Sequence, residues 1–496
     1  MLKNLPVMVV VFLLIAGYMM PVVARWDRKK CAPFAALAMG FGVLGSVLLM
    51  NTVIASGQPI TYNLGGWIPP WGIAVRIDYA ESFMLMLLTG VGAFILWYAS
   101  GDIGSELGHK ITGWYYTAFL LLLAAMLGMA MANDLFNLYV FMEVSGICAC
   151  ALVAAKGDRE ATEAALKYLL LATIGSGFVL FGIGMLYMLT GHLNLDFVAI
   201  QMRRVWVFYP TVTWVATSFF VVGFAVKSAL FPLHIWLPDA HSSAPSPSSA
   251  VLSGLVVKIY AFALMKLLYL VFSGLFTESF PVALAVRYIL LVFSAMAILG
   301  GSLFALVQVD VKRLLAYSTV AQMGYIFLGI GLGSPAGLAA AMLHILNHAV
   351  MKSCLFLSAG SFIHVAGVRQ VRDFTGLSKT MPWTSAAFSI AALSMIGFPP
   401  LAGFASKWYL SEGAMQSGEP VFVVLMVVSS FLNAWYYLPL VGRIYSVGED
   451  SGVKEDIPLS MRLPVVLLAA CCVVLGLFPK IPLTLVYRAV DKFLLK

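Results

Sequence analysis

Residues 251–270 read VLSGLVVKIYAFALMKLLYL, an apolar stretch that is long enough to cross a lipid bilayer as one helix. Two lysines, Lys258 and Lys266, interrupt it. A lysine at the centre of a membrane helix opposes insertion by roughly 2.5–3.5 kcal/mol, so a requirement other than stability keeps it there. Lys266 lies about two turns closer to one end of the helix than Lys258. Its long side chain could extend to the bilayer surface instead, and both interpretations of Lys266 stay open.

Ionisable side chains also occur inside other apolar stretches of the chain. They are Glu143, Lys167, Lys227, His344, His348, Lys352 and Lys407. Carboxylates, imidazoles and amines all gain and lose protons when burial and neighbouring charges change. Together with Lys258, these side chains predict a path for protons or cations through the membrane.

The composition predicts the class of protein. Of the 496 residues, 61% are hydrophobic and 10% are charged, and the mean hydropathy is +0.96. So few polar residues cannot cover a soluble globule of this length. Apolar windows of about twenty residues predict about fourteen transmembrane helices, among them 210–235, 248–274 and 380–408. We therefore expect an all-α polytopic membrane protein that lies in the lipid bilayer.

Basic residues are distributed unevenly between the two sides of the predicted bundle. With the N-terminus outside, the cytoplasmic loops hold Arg25, Arg28, Lys29, Lys30, Lys110, Lys156, Arg159, Lys312, Arg313, Arg369, Arg372, Lys379, Arg443, Lys454 and Arg462. The opposite side holds only Arg76, Arg203, Arg204 and Arg287. Cytoplasmic loops carry the excess of Lys and Arg in membrane proteins, so we expect a multi-pass protein of the cell membrane with both termini on the outer face. This sidedness accounts for the net charge of +8 without a nucleic-acid partner.

The chain lacks the patterns of several energy-converting sites. Neither GxxxxGK[ST] nor GxGxxG occurs in a strand-turn-helix context, and the six cysteines form no CxxC pair. We therefore expect no nucleotide, metal or redox cofactor and no catalytic site of its own, and we interpret the cysteines as small buried apolar residues. Transport would then depend on an existing ion gradient or on partner subunits.

A short repeat connects two of the buried lysines. The string GFAVK at 223–227 recurs as GFASK at 403–407, which places Lys227 and Lys407 at an offset of 180 residues. An offset of five predicted helices reverses the direction through the membrane, which is typical of inverted-topology repeats. Prolines follow the first lysine and precede the second, so both units are expected to contain a broken helix beside a hydrated cavity. A simple packing kink is the alternative.

The repeat predicts four segments. Residues 1–112 would form helices 1–3, and residues 113–274 would form the first inverted unit, helices 4–8. Residues 275–445 would form the second inverted unit, helices 9–13. Residues 446–496 would hold the last helix and a short C-terminal tail.

Glu143 is the one acidic residue predicted deep within a span. A buried carboxylate stays ionised when a lysine of a neighbouring helix compensates its charge, and Lys227 is the expected partner. Separating the two would let the lysine release its proton, so the pair could act as an electrostatic switch. A static pair that fixes the helix register is the alternative.

Three ionisable residues of the eleventh span follow a four-residue spacing. His344, His348 and Lys352 therefore lie on one face of a helix, about 6 Å apart along its axis. Such a series could pass protons through intervening waters. A zinc site fits less well, because HxxxH has no third ligand nearby. Lys167 lies near the cytoplasmic start of the sixth span, where it could belong to the path or extend to the surface.

The segment 234–253, HIWLPDAHSSAPSPSSAVLS, is unusually polar for a junction between two apolar helices. It could be an ordinary turn. It could also be an opening through which water reaches Lys227 and Lys258, with His234, Asp239 and His241 as surface proton acceptors.

At these residues the chain resembles the proton-translocating antiporter-like subunits of respiratory complex I, membrane-bound hydrogenases and Mrp-type Na⁺/H⁺ antiporters, above all the D-type Mrp proteins. The matching stretches are NLYVFMEVS at 137–145, LPDAHSSAPSPSSAVLSGLVVKIYA at 237–261, DVKRLLAYSTVAQMGYI at 310–326, HILNHAVMKSCLFLSAG at 344–360 and GFPPLAGFASKW at 397–408. They are spread over most of the chain.

The resemblance implies a fold and a site. It implies fourteen helices with two inverted five-helix units, a hydrophilic axis at mid-membrane, a Glu143–Lys227 pair, a connecting Lys258 and a terminal Lys407. It also implies other membrane subunits as partners and H⁺ as the transported ion, and it leaves open whether Na⁺ passes through this chain. Family members often carry a histidine where this chain has Gln322, so a titratable group at that point is in doubt.

Three other functions compete with proton translocation by a subunit. A stand-alone cation-coupled solute symporter would take up a solute without partners. A structural scaffold would tolerate loss of Lys258 and Lys407. An intramembrane enzyme fits least, because no Ser-His or HExxH arrangement is present.

Overall fold

The computed structural model describes residues 4–108, 111–272, 281–447 and 457–494, and helices dominate these ranges. The helices are α1 (Leu5–Trp26), α2 (Cys31–Ser56), α3 (Tyr79–Glu106), α4 (Thr112–Met131), α5 (Leu135–Val153), α6 (Arg159–Thr190), α7 (Leu195–Val205), α8 (Pro210–Lys227), α9 (Trp236–Ser243), α10 (Ser246–Leu270), α11 (Pro281–Leu306), α12 (Val311–Gly331), α13 (Pro335–Ala366), α14 (Pro382–Ile396), α15 (Ala402–Gln416), α16 (Val421–Tyr445), α17 (Leu459–Leu477) and α18 (Lys480–Leu494). Two strands, β1 (Ile60–Asn63) and β2 (Ala74–Ile77), and the short helices Arg28–Lys30, Leu64–Gly66, Ala154–Lys156, Val371–Asp373 and Leu377–Thr380 complete the described elements.

Within these ranges, thirteen helices are long and apolar enough to cross a membrane, and α14 is a shorter apolar helix. With α14 counted, they match the predicted number of about fourteen. The chain is a multi-pass helical membrane protein, as the composition predicted. Lys110 and Lys454, two of the predicted cytoplasmic charges, lie outside the described residues.

The predicted helix breaks are present, on opposite sides of the two repeated lysines. Helix α8 ends at Lys227, earlier than the predicted end at 235, because Pro232 would clash with the carbonyl of residue 228 in a continued helix. Helix α14 ends at Ile396, and five residues separate it from the start of α15. Gly397 closes it in a left-handed conformation with φ of 96°. The break therefore follows the lysine in the first unit and precedes it in the second.

Two helices form the centre of the bundle. Every residue in the apolar window of α10 is buried inside the protein. Helix α13 contacts α10, α12, α14, α15 and α17 and is also buried over most of its length. Because neither helix has a wide lipid-facing surface, their lysines and histidines are enclosed by protein rather than exposed to hydrocarbon.

Some elements have no counterpart in the sequence-based prediction. Strands β1 and β2 pair as a small antiparallel hairpin, with Ile60 opposite Ile77. Helix α7 and helix α18 are short, and α18 takes the place of the predicted C-terminal tail. All six cysteines are free thiols, and four of them are buried.

Candidate functional site

The predicted pair of Glu143 and Lys227 forms. The Lys227 Nζ lies 3.5 Å from the Glu143 Oε1, and the Lys227 side chain is buried. Gly146, one turn along α5 from the glutamate, makes room for the amine, because a Cβ at that position would lie 3.1 Å from the Lys227 Nζ. The carboxylate of α5 and the amine at the end of α8 are therefore held close enough for a strong charge interaction.

Aromatic and hydroxyl groups connect this pair to α10. The Lys227 Nζ lies 5.6 Å from the ring centroid of Tyr260, within the range of a cation–π contact. The Tyr260 hydroxyl is 2.8 Å from the Ser145 Oγ of α5. Tyr260 lies two residues after Lys258 on α10. This helix therefore connects the Glu143–Lys227 pair to Lys258.

A π-helical turn at Leu252–Val256 places Lys258. The Lys258 Nζ donates a hydrogen bond to the Ser253 carbonyl within that turn. Gly254 lets the turn approach α13 closely, because a Cβ there would overlap with the Ser353 side chain. The π-helical turn thereby packs beside Ser353, the residue that follows Lys352 on α13. Wide turns of this kind recur at functional sites in helices.

The three ionisable residues of α13 are buried side by side. The rings of His344 and His348 are stacked with centroids 5.8 Å apart. The Lys352 Nζ donates to the Leu315 carbonyl at 2.7 Å and to the Ser318 Oγ at 2.9 Å. Neither ring nitrogen of His348 has a hydrogen-bond partner among the described residues. Buried polar atoms normally have partners, so this position favours bound water.

Lys407 follows the break between α14 and α15. Its Nζ donates to the carbonyls of Met395 and Ile396, at 3.1 and 2.9 Å, and to the Ser430 Oγ at 3.1 Å. The two carbonyls lie at the end of α14, where no following helical turn uses them. The broken helix therefore supplies the acceptors that hold the buried amine.

Tyr325 of α12 connects Lys407 to the histidines. The Lys407 Nζ lies 5.1 Å from the centroid of the Tyr325 ring, and that ring lies 5.4 Å from the His344 ring. The His344 Nδ1 is also 2.9 Å from the Ser406 Oγ of α15. We use the name buried polar line for the set of Glu143, Lys227, Lys258, His344, His348, Lys352 and Lys407.

Lys167 pairs with carboxylates outside the buried polar line. Its side chain is about half exposed, with Nζ 2.8 Å from Glu163 and 3.1 Å from Asp239. Asp239 also pairs with Arg313 at 2.9 Å. These side chains line an open polar pocket of about 420 Å³. A role of Lys167 in the proton path remains a prediction.

The structure decides between the two interpretations of Lys266. This side chain does not extend to the bilayer surface, since its Nζ pairs with Glu81 at 2.8 Å and it is only 1% exposed. The expected positions of three other residues are wrong. Lys312 lies buried at the start of α12 instead of in a loop, and it donates to the Ala244 carbonyl at 3.0 Å. His234 and His241 are buried and are not surface acceptors, because α9 packs against α6 and α12.

Sequence reasoning missed the partner of Lys266. Glu81 lies in the first turn of α3, and its other carboxylate oxygen accepts the backbone N–H of Asp78 in a capping box. A glutamate in the first turn of a helix is commonly explained by its capping bond alone. The only sequence signal for a buried ion pair was therefore Lys266, the second lysine of α10. In the described part of the chain, no group of three His, Cys, Asp or Glu side chains could hold a metal ion.

Comparison with known proteins places these features in a family. The sequence profile described as NADH:quinone oxidoreductase/Mrp antiporter, TM, matches residues 132–433. The chain belongs to this family. The matched region contains every member of the buried polar line, and the resemblance inferred from the sequence motifs is confirmed.

Members of this antiporter-like family with similar sequences carry two kinds of name. The chain is 39% identical to the N-type subunit of the NADH-quinone oxidoreductase of Desulforudis audaxviator, over 96% of each chain. It is 31% identical to the D-type subunit of the Na(+)/H(+) antiporter of Alkalihalophilus pseudofirmus, over 88% of this chain and 87% of the relative.

Two solved structures have the same fold. A chain of the membrane-bound sulfane sulfur reductase, an archaeal respiratory membrane complex, superposes with a TM-score of 0.91 at 31% identity, covering 99% of this chain and 98% of that chain. A chain of the Mrp complex from Dietzia sp. superposes with a TM-score of 0.88, covering 99% and 97%. The second match is 23% identical and supports the fold alone.

Proposed function

We propose that this chain is the proton-translocating membrane subunit of a multi-subunit complex. The observation that carries the proposal is the buried polar line, in which ionisable side chains follow one another through the interior from Glu143 to Lys407. Placing so many ionisable groups inside a membrane protein is costly, and such groups usually mark ion pathways.

The contacts suggest how protons move. Glu143 compensates the charge of Lys227 at 3.5 Å, and loss of that compensation favours proton release from the enclosed amine. Lys258 stands between this pair and the histidines of α13. His348, whose ring nitrogens have no partner among the described residues, can accept a proton from water on one side and return one on the other. Lys407 ends the series.

The energy for transport comes from partner subunits or from an ion gradient. Relatives carry the names of an NADH-quinone oxidoreductase subunit and an Na(+)/H(+) antiporter subunit. We therefore assign this chain to an Mrp-type antiporter or to a related redox-driven complex of the cell membrane, as a transport subunit without a catalytic site of its own. Both termini face the outer side in this assignment, and H⁺ is the ion that the buried polar line carries.

The test uses everted membrane vesicles that contain the assembled complex, energised by the substrate of that complex. We expect Lys227→Met and Lys407→Met each to abolish formation of the pH gradient while the complex still assembles. Lys29→Met is the matched control, because Lys29 is an exposed lysine outside the buried polar line. It should leave the gradient unchanged.

Two outcomes would contradict the proposal. One is a normal pH gradient in both Lys→Met variants of the buried polar line. The other is solute uptake by the purified chain alone in liposomes, which would favour the stand-alone symporter. Identification of the proteins that co-purify in mild detergent distinguishes the two kinds of parent complex, because iron-sulfur or nickel-iron subunits indicate a redox-driven pump.

A further inference from the structure

A cavity of about 590 Å³ lies between α2, α3, α13, α17 and α18, apart from the buried polar line. Its volume is in the range of small-molecule sites. Apart from Thr484 and Arg488, every side chain that lines it is apolar. We call this cavity the Arg488 groove.

The Arg488 groove opens on the circumference of the helix bundle, between helices. Ile54 and Val474, two of its lining residues, are 40% and 52% exposed. Along α3 the lining extends from Phe83 to Phe94, which corresponds to about 16 Å along the helix axis. This part of α3 belongs to a helix that is long and apolar enough to cross a membrane, so we expect the opening to face hydrocarbon, where an acyl chain can fill it.

Arg488 lies at the end of the groove where α3 begins. Its guanidinium carbon is 5.9 Å from the ring centroid of Tyr79, the first residue of α3. Arg488 is exposed, while its neighbours Val486, Ala489 and Val490 on α18 are buried. Helix α18 therefore presents a guanidinium at the mouth of an apolar groove. This side chain has the geometry to bind a phosphate through two parallel hydrogen bonds.

We propose that the Arg488 groove binds one anionic phospholipid, with an acyl chain along α3 and the phosphate on Arg488. The inner wall includes Leu346 and Val350 of α13, each two residues from His348 and therefore on the opposite side of that helix. The bound lipid supports the outer face of the helix whose inner face carries the stacked histidines. This inference concerns a binding site and does not depend on the proposed proton transport.

Two glycines of α3 provide matched variants. A Cβ built at Gly90 or at Gly104 meets no atom within 4 Å, so both positions have room for a side chain. Gly90 lines the groove, whereas Gly104 does not. Gly90→Leu should therefore obstruct the acyl chain with a side chain whose Cβ has room, and Gly104→Leu controls for the loss of glycine from the same helix.

The experiment purifies the assembled complex in mild detergent, exchanges it into micelles with equal amounts of phosphatidylglycerol and phosphatidylcholine, and measures retained lipid by native mass spectrometry. We expect one retained phosphatidylglycerol per chain and about a fivefold preference over phosphatidylcholine, the value typical of one arginine at a membrane surface. Gly90→Leu should lose the lipid and Gly104→Leu should keep it. Arg488→Gln should lose the preference, and Arg488→Lys should keep most of it.

Three results would overturn the proposal. Equal retention of the two lipids by the unsubstituted complex would remove the role of Arg488. Unchanged retention in Gly90→Leu would place the lipid elsewhere. A helix of a neighbouring subunit in the groove of the assembled complex would also exclude the lipid. A loss of proton transport in other variants bears on none of these readouts, so failure of this inference and failure of the proposed function are separable.

Discussion

Two lysine–glutamate pairs in this molecule have the same chemistry and different surroundings. In the pair of Glu81 and Lys266 the charged atoms are 2.8 Å apart, and both side chains are at most 4% exposed. Lys266 also donates to the carbonyls of Ala130 and Ala132. The ion pair and these two hydrogen bonds hold the Lys266 amine in one position.

The pair of Glu143 and Lys227 is looser. Its charged atoms are 3.5 Å apart, and the glutamate side chain is 31% exposed. Lys227 is the last residue of α8, directly before the irregular segment that leads to α9. A longer contact and a less confined carboxylate favour separation of Glu143 and Lys227 over separation of the enclosed pair. We therefore propose that the Glu81–Lys266 pair serves stability and that the Glu143–Lys227 pair serves transport.

The largest expected effect concerns the enclosed pair. Lys266→Met leaves the Glu81 carboxylate buried without its counter-ion, which should lower the free energy of unfolding by about 3–5 kcal/mol. Thermal unfolding of the purified complex in detergent measures the loss. A change of less than about 1 kcal/mol would mean that the pair does not hold α3 and α10 together.

The double variant Glu81→Gln/Lys266→Met separates charge from packing. Glutamine keeps an oxygen for the Asp78 backbone N–H and removes the buried charge. We expect the double variant to recover most of the stability lost in Lys266→Met and to transport protons at a normal rate. Transport that stays low in a stable double variant would show that this pair also belongs to the path.

The next effect concerns the looser pair. Glu143→Gln removes the charge that compensates Lys227, and we expect proton transport in everted vesicles to fall about a hundredfold, equal to about 2.7 kcal/mol in the barrier. The loss of stability should be smaller than in Lys266→Met, because Glu143 is partly exposed. Glu143→Asp keeps the charge and should retain part of the activity. Equal transport by the two variants would contradict a role for the charge.

A smaller effect is expected at His348. Its ring nitrogens have no hydrogen-bond partner among the described residues, so His348→Leu leaves no protein group unsatisfied. We expect a stability change within about 1 kcal/mol and a fall in transport of about tenfold, because only one member of the series is lost. Normal transport at normal stability would exclude this imidazole from the path.

The smallest effect is expected at Lys167. Its ion pairs with Glu163 and Asp239 are solvent-exposed, and exposed pairs contribute about 0–1 kcal/mol. Lys167→Met should therefore change transport by less than about fivefold. A loss as large as that of Lys227→Met would extend the path to the polar pocket around Asp239.

Local patterns predicted much of this molecule. The apolar windows marked the spans, and the prolines and glycines near Lys227 and Lys407 marked the broken helices. The four-residue spacing of His344 and His348 placed both rings on one face, since a helix imposes that geometry on any sequence. Glu143 and Lys227 were paired correctly because each had few possible partners of opposite charge inside the predicted spans.

Long-range contacts were not predictable in the same way. Lys266 meets a glutamate 185 residues earlier in the chain, and nothing in the sequence around either residue indicates the contact. The sequence predicted Lys312 as a charged loop residue. In the structure it lies at the start of a helix, where the packing of the chain near Ala244 buries it.

Lys258 provides the most direct test of the central claim, because it stands between the Glu143–Lys227 pair and the histidines of α13. The measurement is proton transport by everted vesicles that contain the assembled Lys258→Met complex, with assembly checked by co-purification. We predict a complex present in normal amount that forms no pH gradient. A Lys258→Met complex that forms a normal gradient would contradict the claim that the buried polar line carries the protons.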